Sequence, residues 1–134
     1  MPKLHRVGAI IQNGENIVLI HRIKNGEEYY AIPGGAIEKK ETPDAAVLRE
    51  IREELGLCLD SYKFIVEVDE ANRQDSYFAC ATKDTKFIVS GLEKKYLDSP
   101  DKLFEPQWIN KNNLNKGLLI YPENGRQLVL DLLK

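Results

Sequence analysis

The chain has 134 residues, 43% of them hydrophobic and 30% charged, with a formal net charge of −2 at pH 7. That length and mixture suit one domain, residues 1–134, with a real apolar core. The charge balance argues against a groove that grips a nucleic-acid polymer by bulk electrostatics, and no apolar run approaches the roughly 20 residues of a membrane-spanning helix.

The opening MPKLHRVGAI lacks the apolar core of a signal peptide. Val7 to Ile11 is a short apolar run and a first strand candidate. Asn13-Gly14 signals a turn, and Ile17 to Ile20, rich in β-branched residues, is the strand after it. That strand leads into His21 and Arg22. Lys24 to Glu28 is a polar turn, and Tyr29 to Ile32 a short strand. Pro33-Gly34-Gly35 is then expected to stop regular structure, because adjacent glycines permit unusual dihedrals and close backbone approach.

A helix with readable ends follows. Thr42 can cap it, Pro43 fits the first helical position, Asp44 suits the positive end, and Gly56 can take the left-handed stop. The expected span is Pro43 to Leu55. Val47, Leu48, Ile51 and Leu55 share one side for burial. Glu50, Glu53 and Glu54 gather on another, at i, i+3 and i+4. Like charges at that spacing cost roughly 0.2–0.5 kcal/mol per pair. A sequence that breaks its local rules often does so at a functional site. A divalent cation would turn the repulsion into coordination, and carboxylate oxygens are the ligands Mg²⁺ takes. The bland alternative is a solvated acidic face.

Beyond the helix, Tyr62 to Val68 and Ser76 to Thr82 read as strands, with Asp69 to Arg73 a turn between them. Phe87 to Val89 is a further strand candidate, and Leu92 to Lys102 a loop. Phe104 to Ile109 is a last strand, whose Pro106 suggests an edge or bulge. Asn112 to Lys116 suits a helical turn. Asn124-Gly125 is expected as a loop before a helix from about Arg126 to Leu133, with Leu128, Val129 and Leu132 buried. Strands alternating with an early and a late helix suggest an α/β class, in α/β/α layers. Cys58 and Cys80 have no metal-ligand spacing and read as reduced thiols, which suits a cytoplasmic protein.

From Gly35 the chain gives Gly, five residues, Glu41, seven residues, then Arg49-Glu50-Ile51-Arg52-Glu53-Glu54-Leu55-Gly56-Leu57. This resembles, without a gap, the signature of the Nudix hydrolases, G-x5-E-x7-R-E-U-x-E-E-x-G-U with U aliphatic. Its seven fixed and two aliphatic positions match by chance on the order of once in 10¹⁰ starts. The resemblance implies a mixed curved sheet with the signature helix on one side and the C-terminal helix on the other. It implies Mg²⁺- or Mn²⁺-dependent cleavage of a phosphoanhydride bond in a nucleoside diphosphate linked to a group X. A MutT-like enzyme acting on a nucleoside triphosphate or modified nucleotide is the first expectation. ADP-ribose, nucleoside diphosphate-sugar or dinucleotide substrates are alternatives, as is a catalytically silent metabolite-binding module. The partner expected is such a small nucleotide, with no membrane and no nucleic-acid polymer, and homodimerisation open.

The same resemblance assigns roles. Glu50, Glu53 and Glu54 correspond to metal-binding carboxylates, joined by the Gly35 carbonyl. Glu50 is also a candidate base for the attacking water, and Glu105, Asp101 or Glu93 on later segments are alternatives. Glu41 is expected to orient Arg49, which steadies the glutamates. Arg22 is expected to contact a substrate phosphate, and Gly34 to bind substrate. Asn124 lies near the place where MutT-like enzymes read a purine edge. Tyr29, Tyr30, Tyr77, Phe78, Trp108 and Tyr121 are aromatic candidates for stacking on a base. One departure stands out: many family members have glycine where this chain has Lys40.

Overall fold

In the computed structural model, residues 3–88, 102–114 and 117–131 are described. The chain opens as a hairpin of β1 (Leu4–Asn13) and β2 (Asn16–Lys24). These strands pair antiparallel at Gln12↔Ile17 and Asn13↔Asn16, next to their turn, and then diverge. The gap is filled from both sides. β3 (Glu27–Ala31) lies along the second half of β2, and β4 (Gly34–Ala36) along the first half of β1. The segment expected to stop regular structure is therefore a short strand. Two glycines read as a loop locally, but backbone pairing to Val7 and Gly8 overrides that signal.

The signature helix α1 spans Pro43–Leu55, as expected. Thr42 caps it, its hydroxyl accepting from the Ala45 N–H at 3.2 Å. Gly56 ends it at φ 70°, with its N–H bonded to the Arg52 carbonyl. β5 (Ser61–Asp69) and β6 (Arg73–Ala81) follow as an antiparallel pair, and β6 runs parallel to β1 along Leu4–Gln12. β7 (Lys102–Asn110) pairs with β2 along its whole length, with Pro106 opposite Ile20. A 3₁₀ turn at Lys111–Asn113 leads toward β8 (Ile120–Tyr121), which pairs parallel with β3, and then α2 (Glu123–Leu130). β8 had no sequence signal. Asn124 and Gly125 lie inside α2 rather than in a loop before it.

Strand alternation sorts the core into two layers. Val7, Ala9, Ile11, Val18, Ile20 and Phe78 face α1, meeting its Ala46, Val47, Ile51 and Leu55. Ile10, Ile17, Leu19, Tyr77 and Ile120 face α2, meeting Val129. The result is the expected α/β architecture, a mixed curved sheet between two helices. Burying each large apolar side chain of α1 contributes roughly 1.5–3 kcal/mol, which outweighs the repulsion among its glutamates. Leu48 was expected on the buried side but is exposed, and Ala46 takes that place. A bulge between Phe64 and Val66 switches the face of β5. Tyr62 and Phe64 lean on Phe78 in the first layer, while Val66 and Val68 join the second.

Phe87 and Ile88 are not in a strand. Val89, the 92–101 part of the expected loop, Lys116 and Leu132 lie outside the described residues, and Lys102 already belongs to β7. Cys58 and Cys80 are free thiols, and burial pushes the Cys80 thiol up to about 12.

Candidate active site

α1 and β4 build the site together. The register Val7↔Gly35 and Gly8↔Gly34 lays the two glycines along β1, directly beside the helix face that carries the acids. A Cβ at Gly35 would displace the Glu50 carboxylate, so glycine there lets that carboxylate lie against the strand. The Gly34 N–H reaches Glu54 Oε1 at 3.4 Å. Two of the three glutamates are thus set against the double-glycine strand.

Arg49 is the hub. Its Nε donates to Glu41 Oε2 at 2.7 Å and its Nη2 to Glu41 Oε1 at 2.9 Å, a two-pronged pair. Nη2 also donates to the Ala36 carbonyl at 3.1 Å. Nη1 donates to Glu50 Oε1 at 2.9 Å and Glu53 Oε2 at 3.1 Å. Glu41 in turn accepts from the Glu38 N–H at 3.0 Å. The Arg49 bonds, helped by that N–H, hold the Glu41 carboxyl well below its ordinary value, at about 2. The same Glu41 bonds, then Glu50, raise Arg49 further above its already high value. Glu41 and Glu50 are largely covered, while the Glu53 side chain is 62% exposed.

Among the described residues, no three acidic, histidine or cysteine side chains already close round a common point as a metal cage. The donors nonetheless fit a hard divalent ion in kind: carboxylate oxygens on one helix face, with the Gly35 carboxamide backbone pressed against one of them. Arg49 bonds one oxygen each of Glu50 and Glu53, so it holds that face together without occupying every lone pair.

Arg22 lies on β2 in phase with Val18 and Ile20, hence on the α1 side of the sheet. Its guanidinium sits 5.4 Å over the Phe104 ring, and its buried Nε has no hydrogen-bond partner among the described residues. Glu105 is opposite His21 on β7, out of phase with Phe104, so alternation turns it to the face away from α1. Glu93 and Asp101 lie outside the described residues. His21 stacks on Tyr30 and meets Glu28 at 3.0 Å.

Asn124 is near the start of α2, the helix on the other layer of the core from α1. Its Nδ2 donates to Glu70 at 2.6 Å and Asp75 at 2.9 Å, and its Oδ1 accepts from the Tyr77 hydroxyl. Arg73 completes the cluster with two bonds to Asp75, at 2.6 and 2.7 Å. Burial pushes the Asp75 carboxyl up, but Arg73 and Asn124 outweigh it and hold the group below its ordinary value. Sequence reasoning missed Glu38 and the Ala36 carbonyl as members of the Arg49 network. Both act through backbone groups or weak contact, and backbone groups leave no residue signature.

The NUDIX domain matches residues 2–128, so the chain belongs to the NUDIX family. It is 41% identical over 73 residues to an 8-oxo-dGTP diphosphatase of Escherichia coli K12, covering 52% of this chain and 56% of that protein. It is 31% identical over 91 residues to an RNA pyrophosphohydrolase of Roseobacter denitrificans, covering 67% and 57%. The crystal structure of a MutT NUDIX hydrolase from Burkholderia pseudomallei superposes along the full length of both chains, with TM-score 0.71 and 23% identity. The matched stretch spans about half the length of these curated relatives. No helix among the described residues is long and apolar enough to cross a membrane.

Proposed function

We propose that this chain is a Mg²⁺- or Mn²⁺-dependent pyrophosphohydrolase that cleaves a phosphoanhydride bond of a nucleoside diphosphate linked to X. A nucleoside triphosphate or modified nucleotide is the substrate favoured. The observation that carries the reading is that Arg49 braces Glu50 and Glu53 while Glu50 and Glu54 lie against Gly35 and Gly34. Such an arrangement has no use in a solvated helix face, which needs no half-buried arginine brace.

Glu53, Glu54 and the Gly35 carbonyl would hold the ion. The ion supplies charge neutralisation for the diphosphate, polarises its phosphoryl oxygens and acidifies a bound water. This chain's own residues do the rest. Glu41 fixes the Arg49 guanidinium, and Arg49 fixes the directions of Glu50 and Glu53. Glu50, largely covered and adjacent to Gly35, takes the proton of the attacking water as the P–O bond breaks. Arg22, on the same side of the sheet, offers forked donors to a second phosphate. Most of the rate then comes from positioning and charge stabilisation.

Replacing Glu53 by Gln removes one charge and keeps the shape. Turnover of nucleoside triphosphates with Mg²⁺, followed by mass identification of products, is expected to fall about 10²-fold or more, with the fold unchanged by circular dichroism. An undiminished rate contradicts the assignment.

A further inference from the structure

The α1 side of the sheet continues past Arg22 into an open cleft of about 550 Å³ lined by Lys24, Asn25, Glu27, Tyr29 and Tyr121. Register puts these residues on one surface. Tyr29 is opposite Arg22, Glu27 is opposite Lys24, and Tyr121 is beside Ala31, all in phase with Ile20. The rings of Tyr29 and Tyr121 meet edge to face, with centroids 5.2 Å apart. Backbone bonds fix them there: Tyr30 N–H to the Leu119 carbonyl and Ile32 N–H to the Tyr121 carbonyl, both 2.8 Å.

A tyrosine pair in such a place normally completes a core. This one does not: neither ring belongs to either apolar layer, and Tyr121 keeps 39% of its surface exposed. Ala31 beside it is small, which leaves the hollow open. The ring faces are apolar, while Lys24, Asn25 and Glu27 bring a donor cation, an amide and a carboxylate to the rim. Planar aromatic rings with several hydrogen-bonding edges match that combination. Along the chain, Tyr29 is five residues from Gly34, at most about 17 Å of extended strand, with Arg22 on the same surface.

We propose that this cleft is a nucleobase subsite: the Tyr121 ring stacks on the base of the substrate, Tyr29 holds that ring edge to face, and the phosphates run past Arg22 to the glutamates of α1. The assignment rests on the pyrophosphohydrolase reading for its orientation, and it names Tyr121 as the residue that separates nucleotides from plain polyphosphates.

Two measurements test it separately from the hydrolase reading. In the first, KM is compared for GTP and inorganic tripolyphosphate in the wild type, Tyr121→Ala and Tyr121→Trp. The ratio of the two KM values is expected to rise about 5- to 100-fold in Tyr121→Ala and to return toward wild type in Tyr121→Trp. A ratio that stays constant, or KM values that rise together, overturns the subsite. In the second, guanosine 5′-monophosphate is titrated without metal while the ring protons of all tyrosines are followed by NMR. Shifts concentrated on Tyr29 and Tyr121 support the subsite even if no substrate is turned over. Turnover with those two rings unmoved removes the subsite and leaves the hydrolase intact.

Discussion

The Glu41–Arg49 pair shows how one bond orders the whole cluster. Arg49 touches two of the glutamates, yet its guanidinium plane is set by Glu41. Glu41→Gln puts an amide donor where Arg49 already donates, so Arg49 loses its seat. Turnover is expected to fall about 10–100-fold with little change in nucleotide KM, as when other orienting partners are removed. The carboxyl is lowered from 4.5 to about 2 on folding. A group depressed in this way stabilises the fold above its ordinary value, and loses that contribution as pH falls toward 2. The gap in urea midpoint between wild type and Glu41→Gln is therefore expected at pH 7 and narrows through pH 4 to pH 2.5; a gap that ignores pH contradicts the bond's role. Lys40 illustrates a different cost. Its φ is 68°, the left-handed region where many relatives of the signature carry glycine. The side chain pays there for a conformation that glycine adopts freely, so Lys40→Gly is expected to raise stability by about 0.5–1 kcal/mol in chemical denaturation.

At the scale of elements, legibility followed the range of the interactions. α1 was readable end to end because Thr42, Pro43 and Gly56 act within a turn of where they stand. Its acids were readable as a site because all three lie on that one helix. β4 and β8 were not, since each exists only by pairing with a strand distant in sequence, β1 for the one and β3 for the other. The start of α2 was misread for a related reason. Gly125 looks like a breaker, but within the helix it lets the backbone close on the Tyr77 ring, where a Cβ would collide. Arg22, Tyr29 and Tyr121 were candidates one by one, and only the β2–β3–β8 register shows them on one surface. Asn124 makes this concrete. Its amide ties α2 to Asp75 and Glu70, and Asp75 is 2% exposed. Asn124→Ala is expected to cost about 1–3 kcal/mol, because a buried carboxylate and the Tyr77 hydroxyl each lose a partner. Stability that holds while nucleotide KM rises would instead make Asn124 a base reader.

For the molecule as a whole, the sheet separates two tasks. The helix seated on one layer, α1, carries Glu50, Glu53 and Glu54, and the helix seated on the other, α2, carries none of them. Ile51 and Val129 stand at the middle of the two layers, 0% and 1% exposed. Truncating either leaves a cavity that the surrounding packing closes only in part. Ile51→Ala is expected to cost about 2–5 kcal/mol, and Val129→Ala less, since fewer atoms are removed. The sheet lies between them, so they share no neighbour across it and the double variant should equal the sum of the singles to within about 0.5 kcal/mol. Activity distinguishes them. Ile51 is one residue from Glu50 and seats the helix that aims all three acids, so a shift of α1 by an ångström would cost on the order of 10²-fold in turnover. Val129→Ala loosens a helix that carries none of them, and its kcat is expected to stay within about twofold of wild type at a temperature where both variants remain folded. Denaturant titration gives the stabilities and single-turnover kinetics the rates. Equal loss of rate in the two variants would mean that the layers are coupled through the sheet, and that the site is held by the molecule as one body rather than by α1 and β4.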